Sequence, residues 1–251
     1  MASPLERRRP HHPTSSLGPL LLAWALAVVV LAIAAMQRSA PLDQVLVDAP
    51  RATGSPWYTG IVNNLTALAW TTSVIAAGGG AWIAAQTGRP TAARFLRTAA
   101  AWSALLLVDD LLHVRDAAAS ALGISRLVVL AVVVAAAATW AVRFNDEIAR
   151  TRRSVLLVGA AALAGAGLVA ATGDSTPTSL FAERAAELFG VLAVAVYVLS
   201  TSIDITRSTI TSAMAPRPPV DGARPGDQVI IIRRSHRLRR PLITPEVVPA
   251  G

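Results

Sequence analysis

The chain contains neither cysteine nor lysine. The first absence excludes disulfides, thiolate metal centres and cysteine nucleophiles. The second leaves all 23 basic residues as Arg, which together with the Ala, Val and Leu bias of the apolar residues reflects a GC-rich bacterial genome. Histidine is scarce: His11, His12 and His236 lie in the terminal tails, and only His113 falls near an apolar run. A three-histidine catalytic zinc centre is therefore excluded within one chain. Proline is missing from the interior of every long apolar run, and Pro19 sits in a first turn, where it is tolerated. The runs also lack the alternating ten-residue segments of a β-barrel, so helices are the spanning form expected.

What remains is strongly apolar. Hydrophobic residues make up 53% of the 251 and are gathered in blocks, which marks a membrane protein. Six blocks approach the roughly 20 residues that a helix needs to cross a hydrocarbon core, near 17–36, 61–85, 95–115, 121–142, 154–172 and 184–203. The expected fold class is thus all-α, a polytopic transmembrane bundle of six spans over 17–203. A basic N-terminal tail (1–16) and a Pro/Arg-rich C-terminal tail (204–251) flank it. The first block resembles a signal peptide, with Arg7, Arg8 and Arg9 ahead of it and Ala32-Ile33-Ala34 as a small-residue site. Its apolar stretch is longer than the roughly 7–15 residues of a signal core, which favours a retained anchor.

Arginine sets the orientation. Both tails and the second and fourth connections hold 18 Arg and seven acids, whereas the other three connections hold five Arg and eight acids. By the positive-inside rule both termini are cytoplasmic, in a bacterial inner membrane, and the acid-rich connections face outward. In the C-terminal tail, Val229 to Ile232 precede Arg233, Arg234, His236, Arg237, Arg239 and Arg240. Two readings stay open there: a segment that pairs with anionic lipid headgroups, or a solvated tail. The tail has no aromatic residue to stack on bases, so no nucleic-acid partner is expected.

The acids locate the candidate site. The uncharged part of the third block, 98–108, has 11 residues and that of the sixth, 188–203, has 16. Both are too short for a core of about 30 Å at 1.5 Å per residue, so each helix must draw charged flanks toward the bilayer. Arg94 and Arg97 can snorkel; short carboxylates cannot do so as well. Asp109 and Asp110 are therefore expected within the outer membrane layer, with Glu187 beside them and Glu183 one turn nearer water. Helical phase places Asp109, His113 and Asp116 within an arc of about 60°, with Asp110 a step around. Glu183 and Glu187 share a face with Gly190, Val194, Tyr197 and Thr201. Asn63 and Asn64 enter at the same level.

Carboxylates and one imidazole at this spacing suit a divalent metal such as Mg²⁺, Ca²⁺ or Mn²⁺, with Asp109, Asp110, His113, Asp116, Glu183 and Glu187 as candidate ligands. The plainer reading pairs these acids with Arg115, Arg126 and Arg184. Two further readings remain. A small transporter would couple their protonation to a solute, with Gly78-Gly79-Gly80 as a hinge; glycines more often let helices pack closely, as expected also of Gly159, Gly165 and Gly167. A metal-dependent intramembrane lipid hydrolase would use Asp110, His113 and Glu187 as base or ligands, although Ser103 is a poor nucleophile candidate. Trp57 and Tyr58 read as an interface anchor. The Asn64-Leu65-Thr66 sequon sits at a span and is not expected to be glycosylated.

The segment Asp109-Asp110-Leu111-Leu112-His113-Val114-Arg115-Asp116 resembles a family of bacterial multi-pass membrane proteins of unassigned activity, with the pattern Asp-Asp-Leu, three residues, His-Glu. An acid opening the last span before a Leu-Gly pair is similar to Glu183 with Phe189-Gly190. The resemblance covers about residues 57–203 and implies a shared helical fold. Here Arg115 stands at the pattern's His and Asp116 at its Glu, so His113 would have to substitute in any histidine chemistry.

Overall fold

The computed structural model describes residues 17–36, 60–112, 114–172 and 176–214. His113 lies outside the described residues, as do the side chains of Arg115, Asp116 and Arg126, the Trp57-Tyr58 pair and every arginine of the two tails except Arg207. The chain divides into two compact units, Met1–Ala213 and Met214–Gly251, and the architecture below is that of the first.

Every described element is helical. In order they are α1 (Leu17–Met36), α2 (Ile61–Gln86), α3 (Pro90–Leu112), α4 (Val114–Leu122), α5 (Arg126–Arg143), α6 (Asn145–Ala149), α7 (Arg153–Thr172) and α8 (Pro177–Met214). Four of them, α1, α2, α7 and most of α8 (Pro177–Thr211), are long and apolar enough to cross a membrane, and Leu127–Arg143 is apolar but shorter. Their outward faces agree with that reading. Leu22, Ile33, Leu68, Ile75, Trp82, Leu157 and Leu168 are all exposed, an apolar surface that water does not tolerate and lipid does. The chain is thus a candidate multi-pass membrane protein with an all-α fold.

Local signals explain the boundaries. Between α2 and α3, Gly88 adopts φ 74°; the Arg89 amide donates to the Ala84 carbonyl (3.0 Å) and the Gly88 amide to the Ala85 carbonyl (3.4 Å). This is the paired hydrogen bonding of a Schellman stop, and Pro90 then starts α3 at the position where its missing N–H costs nothing. The turn is so short that α2 and α3 run antiparallel, and they pack along each other. Gly123 (φ 64°) ends α4, and the Ser125 hydroxyl accepts the Val128 amide (3.4 Å) to cap α5. Polar residues within α2 are satisfied locally: Thr66, Thr71, Thr72 and Ser73 each donate to the carbonyl four residues back, at 2.8–3.1 Å.

The core lies along α8. Ala27 and Leu31 of α1 meet Val62 and Leu188; Ala69 and Trp70 of α2 meet Val191 and Ala195. Further along, Ala77, Ala81, Phe95, Leu96, Val155, Ala193 and Tyr197 join one cluster. The Trp24 indole donates to the Phe189 carbonyl at 3.1 Å and stands edge-on to its ring, which fastens α1 to α8. Close approach rests on particular glycines. A Cβ on Gly190 would lie 2.7 Å from Leu163 Cγ and 3.0 Å from the Gly159 carbonyl oxygen, so α7 and α8 cross backbone to backbone. A Cβ on Gly167 would meet Leu130 at 2.8 Å, whereas Gly165, Gly78 and Gly79 have open space. The Gly78-Gly79-Gly80 run continues α2 as helix, and only Gly80 packs closely, against Ser202 and Leu96.

Candidate functional site

One end of the bundle holds Asp109 and Asp110 at the close of α3 and Glu183 and Glu187 near the start of α8. The α8 helix begins at Pro177, seven residues before the apolar block, because Thr176 caps it: its hydroxyl accepts the Ser179 amide at 3.2 Å and its carbonyl receives the first helical bond, from Leu180. Glu183 and Glu187 consequently lie about two and three turns inside the helix. Both are half-buried.

Arg184 is the centre of this end. Its Nη1 donates to Glu187 Oε2 at 2.7 Å, with the two side chains only 18% and 20% exposed. Its buried Nε makes no hydrogen bond. Glu187 is its hydrogen-bonded partner, and the charges of Glu183 and Asp110 act on it from further away. Helical phase is consistent with Asp110 being the acid of α3 whose charge acts on Arg184. Leu106 packs in the cluster with Val191 and Ala195, and Asp110 is four residues on, one turn further along the same face. Asp109 is turned about 100° from it and is 7% exposed. Asp109, Asp110 and Glu183 are each engaged by a neighbour.

Of the six sequence candidates, Glu187 pairs with Arg184, and Asp110 and Glu183 lie near enough for their charges to act on it. Asp109 is buried nearby. His113 and the Asp116 side chain lie outside the described residues. Of the two asparagines expected at this level, Asn63 is buried and Asn64 exposed, so only the first turns toward the bundle. Among the described residues no three His, Asp or Glu side chains gather closely enough to hold a metal ion. The sequence had offered Arg184 only as one of three counter-ions; its spacing of three residues from Glu187, the reach of an ion pair on a helix, was the available signal.

The opposite end is held by hydroxyls and arginines. The Thr151 and Tyr197 hydroxyls lie 2.8 Å apart, with Tyr197 2% exposed, and Thr201 is buried on the same face. Arg152 pairs with Asp204 at 3.7 Å, and Arg89 Nη1 donates to Ser208 Oγ at 2.6 Å. These contacts carry α8 past the apolar block to Met214.

A family model described as a domain of unknown function (DUF8692) matches residues 21–201, from within α1 to α8. No curated protein and no solved structure matches the chain.

Proposed function

The chain belongs to this domain-of-unknown-function family, and we propose that it is a six-span membrane protein, both termini cytoplasmic, whose outward end binds a divalent cation in competition with Arg184. The four long helices supply four crossings. The α3 helix supplies a fifth: its 23 residues reach about 34 Å, and its short turn sends it back alongside α2. The α5 helix, at 18 residues and about 27 Å, supplies the sixth. Six crossings leave the two arginine-rich tails on one side, as the positive-inside rule requires.

The observation that carries the cation site is the Arg184–Glu187 pair at 2.7 Å in the field of Asp110 and Glu183. Two carboxylates of α8 and one of α3 act on the Arg184 guanidinium, and carboxylates grouped at the edge of an apolar span are a functional-site signal. Oxygen ligands of this kind suit Mg²⁺, Ca²⁺ or Mn²⁺. Arg184 then plays the part of a resident counter-ion: it holds the carboxylates together when no ion is bound and must swing aside, or share them, when one is. The hydrolase reading gains nothing from the described residues, where Ser103 is buried at 3% exposure.

Titration of the purified protein with Mn²⁺, followed by electron paramagnetic resonance, tests the proposal. Saturable binding of Mn²⁺ that weakens at least about tenfold in both Asp110→Asn and Glu187→Gln is expected, the loss of one coordinating carboxylate being worth more than the 1.4 kcal/mol that a factor of ten represents. Absence of saturable binding in the wild type, or binding in either variant as tight as in the wild type, overturns it.

A further inference from the structure

The geometry points to a second site, at the arginine end, that binds a phosphate-bearing molecule of headgroup size. A cavity of about 530 Å³ opens between α3 and α5, lined by Thr91, Arg94, Arg97, Thr98, Arg143 and Phe144. Three guanidinium groups and no carboxylate line it. Among the described residues no ion pair neutralises any of the three; Arg94 Nε reaches only the Pro90 carbonyl, at 3.4 Å. Arg94 and Arg97 stand three apart on one helix, where like charges repel, and Arg143 adds a third from another helix. An anion between them removes that repulsion.

The walls are fixed before any ligand arrives. The Trp140 indole donates to Thr98 Oγ1 at 2.9 Å and stacks on the Phe95 ring, centroids 5.3 Å apart. Phe144 stands against both rings, at 5.5 Å from Phe95 and 6.0 Å from Trp140. Phe95 is 2% exposed, so this aromatic cluster locks α3 to α5 directly beneath the arginines. Two helices bearing guanidinium forks at a held separation suit bidentate recognition of phosphate oxygens. The volume lies in the ~300–1,000 Å³ range of small-molecule sites, larger than a bare ion needs. The site stands apart from the proposed cation site: Arg94 and Asp110 are 16 residues apart on α3, about 24 Å along its axis.

A phosphate group of this size has two sources, an anionic phospholipid of the adjoining leaflet and a soluble phosphorylated metabolite. Binding is measured on the full chain in a neutral detergent, by the ligand-induced rise in unfolding temperature, with phosphatidylglycerol, phosphatidylcholine and glycerol 3-phosphate as separate probes. The expected result is stabilisation by phosphatidylglycerol and none by phosphatidylcholine. Apparent affinity should fall at least about tenfold in Arg97→Gln/Arg143→Gln, as expected for lost hydrogen bonds to a charged group. Arg150→Gln, an exposed arginine that does not line the cavity, should leave it unchanged. Stabilisation by glycerol 3-phosphate that the double variant abolishes assigns the site to soluble phosphates and also upholds it. No stabilisation by either phosphate probe, or stabilisation that the double variant retains, overturns it.

Discussion

Replacing Gly80 with Ala tests whether close contact between α2 and α8, and not flexibility, accounts for the Gly78-Gly79-Gly80 run. The new methyl carbon would stand 2.7 Å from Ser202 Oγ, 2.9 Å from Ser202 Cβ and 3.0 Å from Leu96 Cδ1. Optimal carbon contacts are about 3.5–4.0 Å, so the helices must separate by several tenths of an ångström or more. Ser202 Cβ cannot rotate out of the way. Overpacking of this kind costs about 1–3 kcal/mol. Against it stands the better helix propensity of Ala over Gly, about 1 kcal/mol. Gly79→Ala receives the same propensity gain with nothing within 4 Å to meet. Subtracting one variant from the other removes that gain, and Gly80→Ala should be less stable than Gly79→Ala by about 1–3 kcal/mol. Unfolding in mixed micelles of increasing SDS content, followed by tryptophan fluorescence, gives both values. Ser202→Gly should restore much of the loss, because two of the three close contacts belong to Ser202. Equal stability of Gly80→Ala and Gly79→Ala would refute the packing argument.

Other contacts in the structure give further expected outcomes. Arg184→Gln should destabilise the protein by about 2–4 kcal/mol in the absence of divalent cations, because it strands Glu187 in a setting only 20% exposed. Arg150→Gln, whose pair with Glu147 is 3.4 Å long and whose own side chain is 73% exposed, should cost no more than about 1 kcal/mol; SDS unfolding of the two side by side decides whether burial makes the difference. Tyr197→Phe should cost about 0.5–1.5 kcal/mol by removing the hydroxyl that meets Thr151 at 2.8 Å, and Thr151→Val in the same background should then cost less than it does alone. Gly190→Ala should weaken the α7–α8 crossing by about 1–3 kcal/mol, read in the same assay, while Gly165→Ala should not.

Apolar runs reveal a helix where the membrane and the helix end together. The expected 17–36, 61–85 and 154–172 agree with α1, α2 and α7 to within a residue. Elsewhere the two boundaries part company. The α3 helix starts at Pro90, five residues before the apolar run, since the Gly88 stop and Pro90 govern the backbone irrespective of hydropathy. The run at 121–142 contains Gly123 at φ 64°, and helix α5 restarts only after Ser125. The α8 helix outlasts its apolar run at both ends, reaching Pro177 and Met214, because capping and the contacts of Asp204 and Ser208 sustain it among polar residues. At the site, span-length arithmetic pointed to the ends of two helices, and the charge of Asp110 on α3 acts on Arg184 of α8. Which face of α3 meets α8 was not readable, since phase within a helix leaves its rotation about the axis undetermined. Leu106 packs against the cluster of Ala69, Trp70, Val191 and Ala195, and Asp110 lies one turn further along the same face of α3.

The competition between Arg184 and a bound cation is the most exposed part of the account. A divalent ion about 5 Å from a guanidinium feels a repulsion of roughly 2 kcal/mol even at the dielectric constant of water. Measured by Mn²⁺ titration and electron paramagnetic resonance, Arg184→Gln should therefore bind the ion at least about tenfold more tightly than the wild type. Unchanged or weaker binding in that variant would contradict the shared carboxylate site.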